Sequence, residues 1–219
     1  MLGGGAAWTD QTGTALYKPD GTSVAVGAYL GEYLWANRPD PSTSPAYSRF
    51  FATDSMLWCE FVRASDGLSW LPMAPVTLMS GQSSSHTGTT ALTTKTSITI
   101  PGGLLTGRKL VINVDVEKVG VAGNCDILFT YGSWTYFAFR TIPAAIVHTN
   151  VQWNITFLTA ASQIGNRAGV LGSGVDINSG AGATDTVDSS VDQTMAFKFK
   201  LVDAADSVRL SQYLVQMVR

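Results

Sequence analysis

Two histidines, two cysteines and sixteen side-chain carboxylates are the first candidates for acid, base and thiol chemistry in this sequence. His86 stands in a Ser/Thr tract, and His148 follows the apolar run Ala144-Ala145-Ile146-Val147. No Gly-x-Ser-x-Gly elbow accompanies either, so a serine or cysteine nucleophile could meet a histidine only through the accident of the fold. Asp115 and Glu117 come nearest to the paired carboxylates of a glycoside hydrolase. Two residues along a strand place them about 7 Å apart on one face, and their setting reads as a solvated strand surface. Asp176, Asp185, Asp188 and Asp192 fall in a stretch with no basic residue between Arg167 and Lys198. Oxygen-rich loops hold calcium, and Asp176-Ile177-Asn178-Ser179-Gly180 begins like one. It then puts Gly180 at a ligand position, Ala181 where the turn glycine belongs and Val187 at the twelfth position, so residues 176–192 read more simply as a mobile or partner-facing loop. Gly3-Gly4-Gly5 has neither a preceding strand nor a Lys-Ser/Thr sequel, which removes a phosphate cradle. Asn154-Ile155-Thr156 matches a glycosylation triplet but sits in a strand-like run, and Cys59 and Cys125 lie in apolar runs that read as buried thiols. No catalytic residue, metal or other cofactor is expected.

The elements that would position these groups are strands. Charged residues make up 14 % of the chain and hydrophobic ones 45 %, while 24 Thr, 20 Ser and 22 Gly supply much of the rest. Long helices want Ala, Leu, Glu, Lys and Arg; this mixture suits short strands and tight turns. A net charge of −2, with no basic cluster longer than Arg108-Lys109, gives no field for nucleic acid. The longest uncharged stretch, residues 67–94, is cut by Pro72 and Pro75 and cannot be a transmembrane helix. No basic side chain precedes Lys18 and no apolar run follows Met1, so neither a secretory signal nor a membrane partner is expected.

Residues 1–45 read as an extended arm: Gly3-Gly4-Gly5 opens it, Pro19-Asp20-Gly21 turns it, and Pro39, Pro41 and Pro45 close it. A free tail would not carry Trp8, Tyr17, Tyr29, Tyr33 and Trp35, so these rings are expected to lie against a partner surface. Residues 46–80 alternate apolar and polar positions around Phe50, Phe51, Phe61 and Trp70, with a hairpin turn at Asp66-Gly67, and predict a small β-meander. Residues 81–90 read as a polar linker. From there to residue 219 the alternation is strong: Leu110, Ile112, Val114 and Val116; Val151, Trp153, Ile155 and Phe157; Met195, Phe197, Phe199 and Leu201; and Val208, Leu210, Leu214 and Val218. Seven or eight strands joined by Gly or Asn turns, Gly123-Asn124 and Gly132-Ser133 among them, predict a β-sandwich, most simply jelly-roll-like. The fold class expected is all-β: arm, meander, sandwich.

Within the meander, Pro45-Ala46-Tyr47-Ser48-Arg49-Phe50-Phe51-Ala52-Thr53-Asp54 and Ser65-Asp66-Gly67-Leu68-Ser69-Trp70-Leu71-Pro72 resemble a small β module of virion structural proteins of tailed bacteriophages, fibre and decoration proteins included. The passage from Thr89 to Pro101, with Gly102-Gly103-Leu104-Leu105, is similar to the start of the jelly-roll-like domain that commonly follows it. The sequence departs from that pattern where Ser55-Met56-Leu57 replaces a glycine after Asp54, and where Met73-Ala74 follows the Trp-x-Pro. The resemblance implies a homotrimeric, non-catalytic virion protein, assembled in the host cytoplasm, fixed to other capsid or tail proteins by its N-terminal region. Its attachment surface would be Trp8, Tyr17, Tyr29, Tyr33, Trp35, Phe50, Phe51 and Trp70. Residues 67–94 would then be buried between subunits, accounting for the missing charge. A host-surface glycan, stacked on Trp134, Tyr136 or Trp153, is the alternative partner. A depolymerase would be a longer, repetitive β-helical chain, and no repeat is visible here.

Overall fold

The computed structural model describes residues 8–9, 15–17, 23–25, 29–65, 67–120, 124–142, 148–171 and 183–218. The chain is all-β. One turn of 3-10 helix, Trp35–Asn37, is the single helical element among the described residues. Two compact units divide at Val76, Met1–Val76 and Thr77–Arg219.

In the first unit, β1 (Trp8–Thr9), β2 (Ala15–Tyr17) and β3 (Ser23–Ala25) form a small antiparallel sheet. A second sheet runs in the order β4 (Tyr29–Tyr33), β5 (Arg49–Ala52), β6 (Cys59–Arg63), β7 (Trp70–Pro72). The last three are the expected meander, with Gly67 at φ +72° in the predicted turn, where a side chain would strike the Arg63 guanidinium. Asp66 itself lies outside the described residues.

The arm does not extend to residue 45. β4 pairs in parallel with β5, and Trp35 sits in the core of the sheet's inner face with Phe50, Phe61 and Trp70, all four 2 % exposed or less. Phe50 stacks on Phe61 at 5.4 Å and meets Trp70 edge-on at 4.9 Å, and Trp35 lies 5.0 Å from Phe61. The proline-rich return is tied down through its carbonyls: Trp70 Nε1 donates to Pro39 O at 2.7 Å and Arg63 Nε to Pro41 O at 2.6 Å. A three-stranded meander cannot bury its own rings, and residues 29–45 supply the missing strand and lid. Burial of each ring contributes on the order of 2–3 kcal/mol.

The second unit is a sandwich. One sheet runs β10 (Thr93–Ile100), β17 (Gln193–Leu201), β12 (Cys125–Tyr131), β13 (Trp134–Ile142). The other runs β16 (Ala183–Asp185), β15 (Ser162–Leu171), β14 (His148–Thr159), β11 (Lys109–Val119), β18 (Ser207–Val218), β8 (Val76–Gly81), with β9 (His86–Thr87) also on β18. Their inner faces meet through Tyr131–Phe157 at 5.1 Å and Phe197–Tyr213 at 5.7 Å. The predicted inner row of β11, Leu110, Ile112, Val114 and Val116, is fully buried, and Trp153, Ile155 and Phe157 lie on the same side of β14.

Strand β18 departs from the simple alternation. Asp115 pairs with Gln212 and Val116 with Leu210, so Ser211 is an extra residue in a β-bulge. The bulge flips the parity beyond it: the inward residues are Val208 and Leu210, then Tyr213, Val215 and Met217, while Leu214 and Val218 face outward.

Residues 81–90 are no free linker. Ser83 exchanges hydrogen bonds with the Leu210 backbone, donating its N–H at 3.0 Å and accepting on Oγ at 2.8 Å, and His86 is buried against Phe199. A polar tract can lie along a sheet edge because its backbone and hydroxyl groups satisfy the edge strand's own N–H and C=O. His86 Nε2 has no hydrogen-bond partner among the described residues. Burial, reinforced by the Lys95 ammonium, lowers its pKa below the ordinary 6.5, against a smaller opposing effect of a backbone hydrogen bond involving Ala91. The folded state therefore prefers neutral His86, so its contribution is complete above pH 6.5 and is lost as the pH falls below it. Thermal midpoints measured at pH 7.5 and 5.5 should differ more for the parent than for His86→Phe; equal differences would show that His86 contributes nothing.

Candidate functional site

Candidate residues fall into two groups, one in each unit. In the first unit the expected attachment rings separate by strand parity. Trp35, Phe50 and Trp70 are core residues of the module and offer no surface, which corrects that part of the expectation, and half-buried Tyr33 meets Phe50 edge-on at 6.2 Å. Trp8 and Tyr17 stand opposite each other on β1 and β2, and their side chains lie outside the described residues. Tyr29 is exposed and Phe51 partly so.

The structure adds rings that the sequence reading passed over. Trp58 is 67 % exposed and Tyr47 63 %, and Leu34, Leu68 and Met73 are also open. Trp58 meets Phe51 edge-on at 5.2 Å on the outer side of the sheet. It ends a turn in which the Leu57 and Trp58 N–H groups both donate to Asp54 O at 2.9 Å, while Asp54 Oδ2 accepts from Trp35 N at 2.6 Å. Tyr47 and Trp58 are also the two non-glycine residues at positive φ among the described residues, +60° and +24°. A side chain in the left-handed region costs about 1–2 kcal/mol, and a turn of this kind ordinarily ends on glycine.

In the second unit the aromatic candidates for sugar stacking are buried, Trp153 completely and Trp134 to within 7 %. Parity places Trp153 beside Ile112 on the inner face. The Tyr136 side chain lies outside the described residues. Asp115 and Glu117 do share the outer face, as expected, but each has its own partner. Arg209 Nε donates to Glu117 Oε2 at 2.7 Å, and Asn150 Nδ2 donates to Asp115 Oδ1. An open depression of about 370 Å³ beside them is lined by Asp115, Val116, His148, Thr149, Asn150 and Ser211. Serine, histidine and aspartate thus come together, yet they are not wired as a nucleophile relay. The Ser211 hydroxyl donates to the Asp115 backbone carbonyl at 3.1 Å, and the Asp115 carboxylate accepts a hydrogen bond from the Asn150 amide, not from His148. Ser211 reaches this face through the bulge, which period-2 reading does not show.

The remaining candidates are structural. Asp185, Asp188 and Asp192 accept from the N–H groups of Thr186, Ser190 and Gly102 at 2.6, 2.9 and 2.9 Å. Hydrogen bonds from the Ser190 hydroxyl and N–H hold the Asp188 carboxyl below the usual carboxylate range. These aspartates fasten turns; Asp176 lies outside the described residues. Neither cysteine is in a disulfide: burial pushes the Cys125 thiol up to about 12, whereas Cys59 is half-buried rather than buried as expected.

No family model matches the chain, and neither a curated protein nor a solved structure matches it. The resemblance of residues 46–80 to phage virion modules therefore rests on those residues alone.

Proposed function

We propose that this chain is a structural component of a tailed bacteriophage particle, a homotrimeric fibre or decoration protein. Its N-terminal unit attaches it to other virion proteins, and its jelly-roll-like sandwich is displayed. The observation that carries the reading is the pair Tyr47 and Trp58, large rings held open to solvent in a backbone region that disfavours them. Strain of that kind persists where something else requires it, and exposed Trp and Tyr are the side chains that anchor protein interfaces. Tyr29, Leu34, Leu68 and Met73 enlarge the apolar surface of the same small unit. The attachment surface is thus reassigned from core rings to turn rings.

Trp58→Gly separates this reading from a merely structural one. Relief of the left-handed strain offsets the lost contact with Phe51, so the melting free energy of the purified protein should stay within about 1 kcal/mol of the parent. Incorporation into particles, assayed by complementing a phage that lacks the gene, should fall tenfold or more. Particles that take up the variant like the parent would overturn the assignment.

A further inference from the structure

The depression at the Ser211 bulge has the chemistry of a recognition site for hydroxyl groups. Its atoms are partly used and partly held open. Asp115 is fixed twice, its carboxylate by Asn150 and its carbonyl by Ser211, so one carboxylate oxygen is anchored while Oδ2 takes no hydrogen bond from a described residue. Asn150 spends its amide N–H on Asp115 and keeps its carbonyl oxygen open, and neither ring nitrogen of the exposed His148 bonds to a described residue. These are acceptors with one adjustable donor–acceptor group, which suits a ligand whose own groups both donate and accept. Glu117, directly across the strand pair from His148, is committed to Arg209, so among the described residues the depression keeps one open carboxylate oxygen, on Asp115, and no lysine or arginine at its edge without an ion-pair partner.

The surroundings extend the same chemistry along the sheet. Cross-strand register places Gln152 opposite Asn113, and Asn154 and Gln216 on either side of Val111, all on the outer face and all part-exposed. From Asp115 to Val111 this strip, polar except for Val111 and the outward Leu214 opposite Asn113, spans about 14 Å, a length that fits a short chain of sugar rings. Planar amides and carboxylates grip neighbouring hydroxyls in pairs of hydrogen bonds, and a scarcity of fixed charge favours an uncharged ligand over an ionic one.

We infer that the outer face of the sandwich, centred on Asp115, Asn150, His148 and Ser211, binds a neutral saccharide through its vicinal hydroxyls. The inference rests on the reading that the sandwich is the displayed part of a virion subunit, and it places the glycan on amides and a bulge rather than on aromatic rings. The pre-set geometry of Asp115 is what the bulge contributes: without Ser211 its carbonyl would lose the hydroxyl that holds it.

The test uses the full chain on an array of immobilised neutral hexose and N-acetylhexosamine oligosaccharides, with immobilised alkylamines as the competing class. At least one saccharide should be retained, and Asp115→Asn and Asn150→Ala should each weaken its binding tenfold or more without moving the thermal midpoint. Lys198→Ala, on the other sheet, should leave binding unchanged. If Asp115→Asn does not fold, Asn150→Ala decides alone, since it leaves the carboxylate in place. Absence of any saccharide binding, binding of amines alone, or binding indifferent to both substitutions would overturn the inference. Presence of the chain in particles without saccharide binding would sink this inference and leave the assembly reading standing. Saccharide binding by a chain absent from particles would do the reverse.

Discussion

Lys118→Met is expected to destabilise the sandwich by about 3–5 kcal/mol, lowering its melting midpoint by about 10 °C or more. Lys118 continues the inward row of β11 after Val116 and is 1 % exposed, a charge where the pattern calls for an apolar side chain. Its Nζ donates to Asp206 Oδ2 at 3.0 Å and to Gly120 O at 2.8 Å, and Asp206 is as deeply buried. The pair fastens the end of β11 to the β17–β18 turn. Gly120 makes the approach possible: at φ +105° it has no side chain, and a Cβ there would fall 2.0 Å from Asp206 Oδ1. Methionine fills the space of the lysine but removes the cation that balances the buried Asp206 carboxylate, which is the costly half of breaking such a pair. The double variant Lys118→Met/Asp206→Leu should regain most of the loss, because two apolar groups need no partner. Chemical denaturation of the parent and the two variants measures this directly. A single substitution costing less than about 1 kcal/mol would mean the pair behaves like a surface bridge.

The second large effect is expected in the small unit. Trp70→Ala removes an indole that meets Phe50 edge-on and donates to Pro39, a loss of about 3–5 kcal/mol by the usual cost of emptying a core aromatic site. A unit of this size buries too little surface to absorb that loss, so its near-ultraviolet circular dichroism should collapse while the sandwich keeps its own melting transition. Trp58→Gly, by contrast, should leave the signal of the folded module in place. If Trp70→Ala melts both units together, their stabilities are coupled and the division at Val76 is not thermodynamic.

Much of the fold was legible because period-2 patterning is a local property. Leu110 to Val116 announced an inner face, and the structure carries the same parity one step further, to the buried Lys118. Trp153 followed its neighbours into the core. Three features were hidden for identifiable reasons. The bulge at Ser211 adds one residue to one strand and leaves no mark on composition, so Leu214 and Val218 were assigned to the wrong face. The parallel pairing of β4 with β5 joins strands separated by a proline-rich segment that reads as an arm, so Trp35 looked like a ring awaiting a partner when its partner was Phe61. The tract around Ser83 and His86 is polar like a linker but lies along β18 like a strand, held by backbone bonds and by the Ser83 hydroxyl. Of the candidate sites, Asp115 and Glu117 were visible as an outer pair; their association with Asn150, His148 and Ser211 depends on three strands in register and could not be read from any one of them.

The low charge of residues 67–94 has an intramolecular cause in part. Trp70, Val76, Leu78, Met79 and His86 are buried by the chain itself, while Leu68, Met73 and Leu92 stay exposed. The proposal that this chain is a phage virion subunit is tested most directly by quantitative peptide mass spectrometry of gradient-purified particles released from cells that carry its gene. The account predicts that the chain is present in a copy number divisible by three; its absence from intact particles would contradict the account.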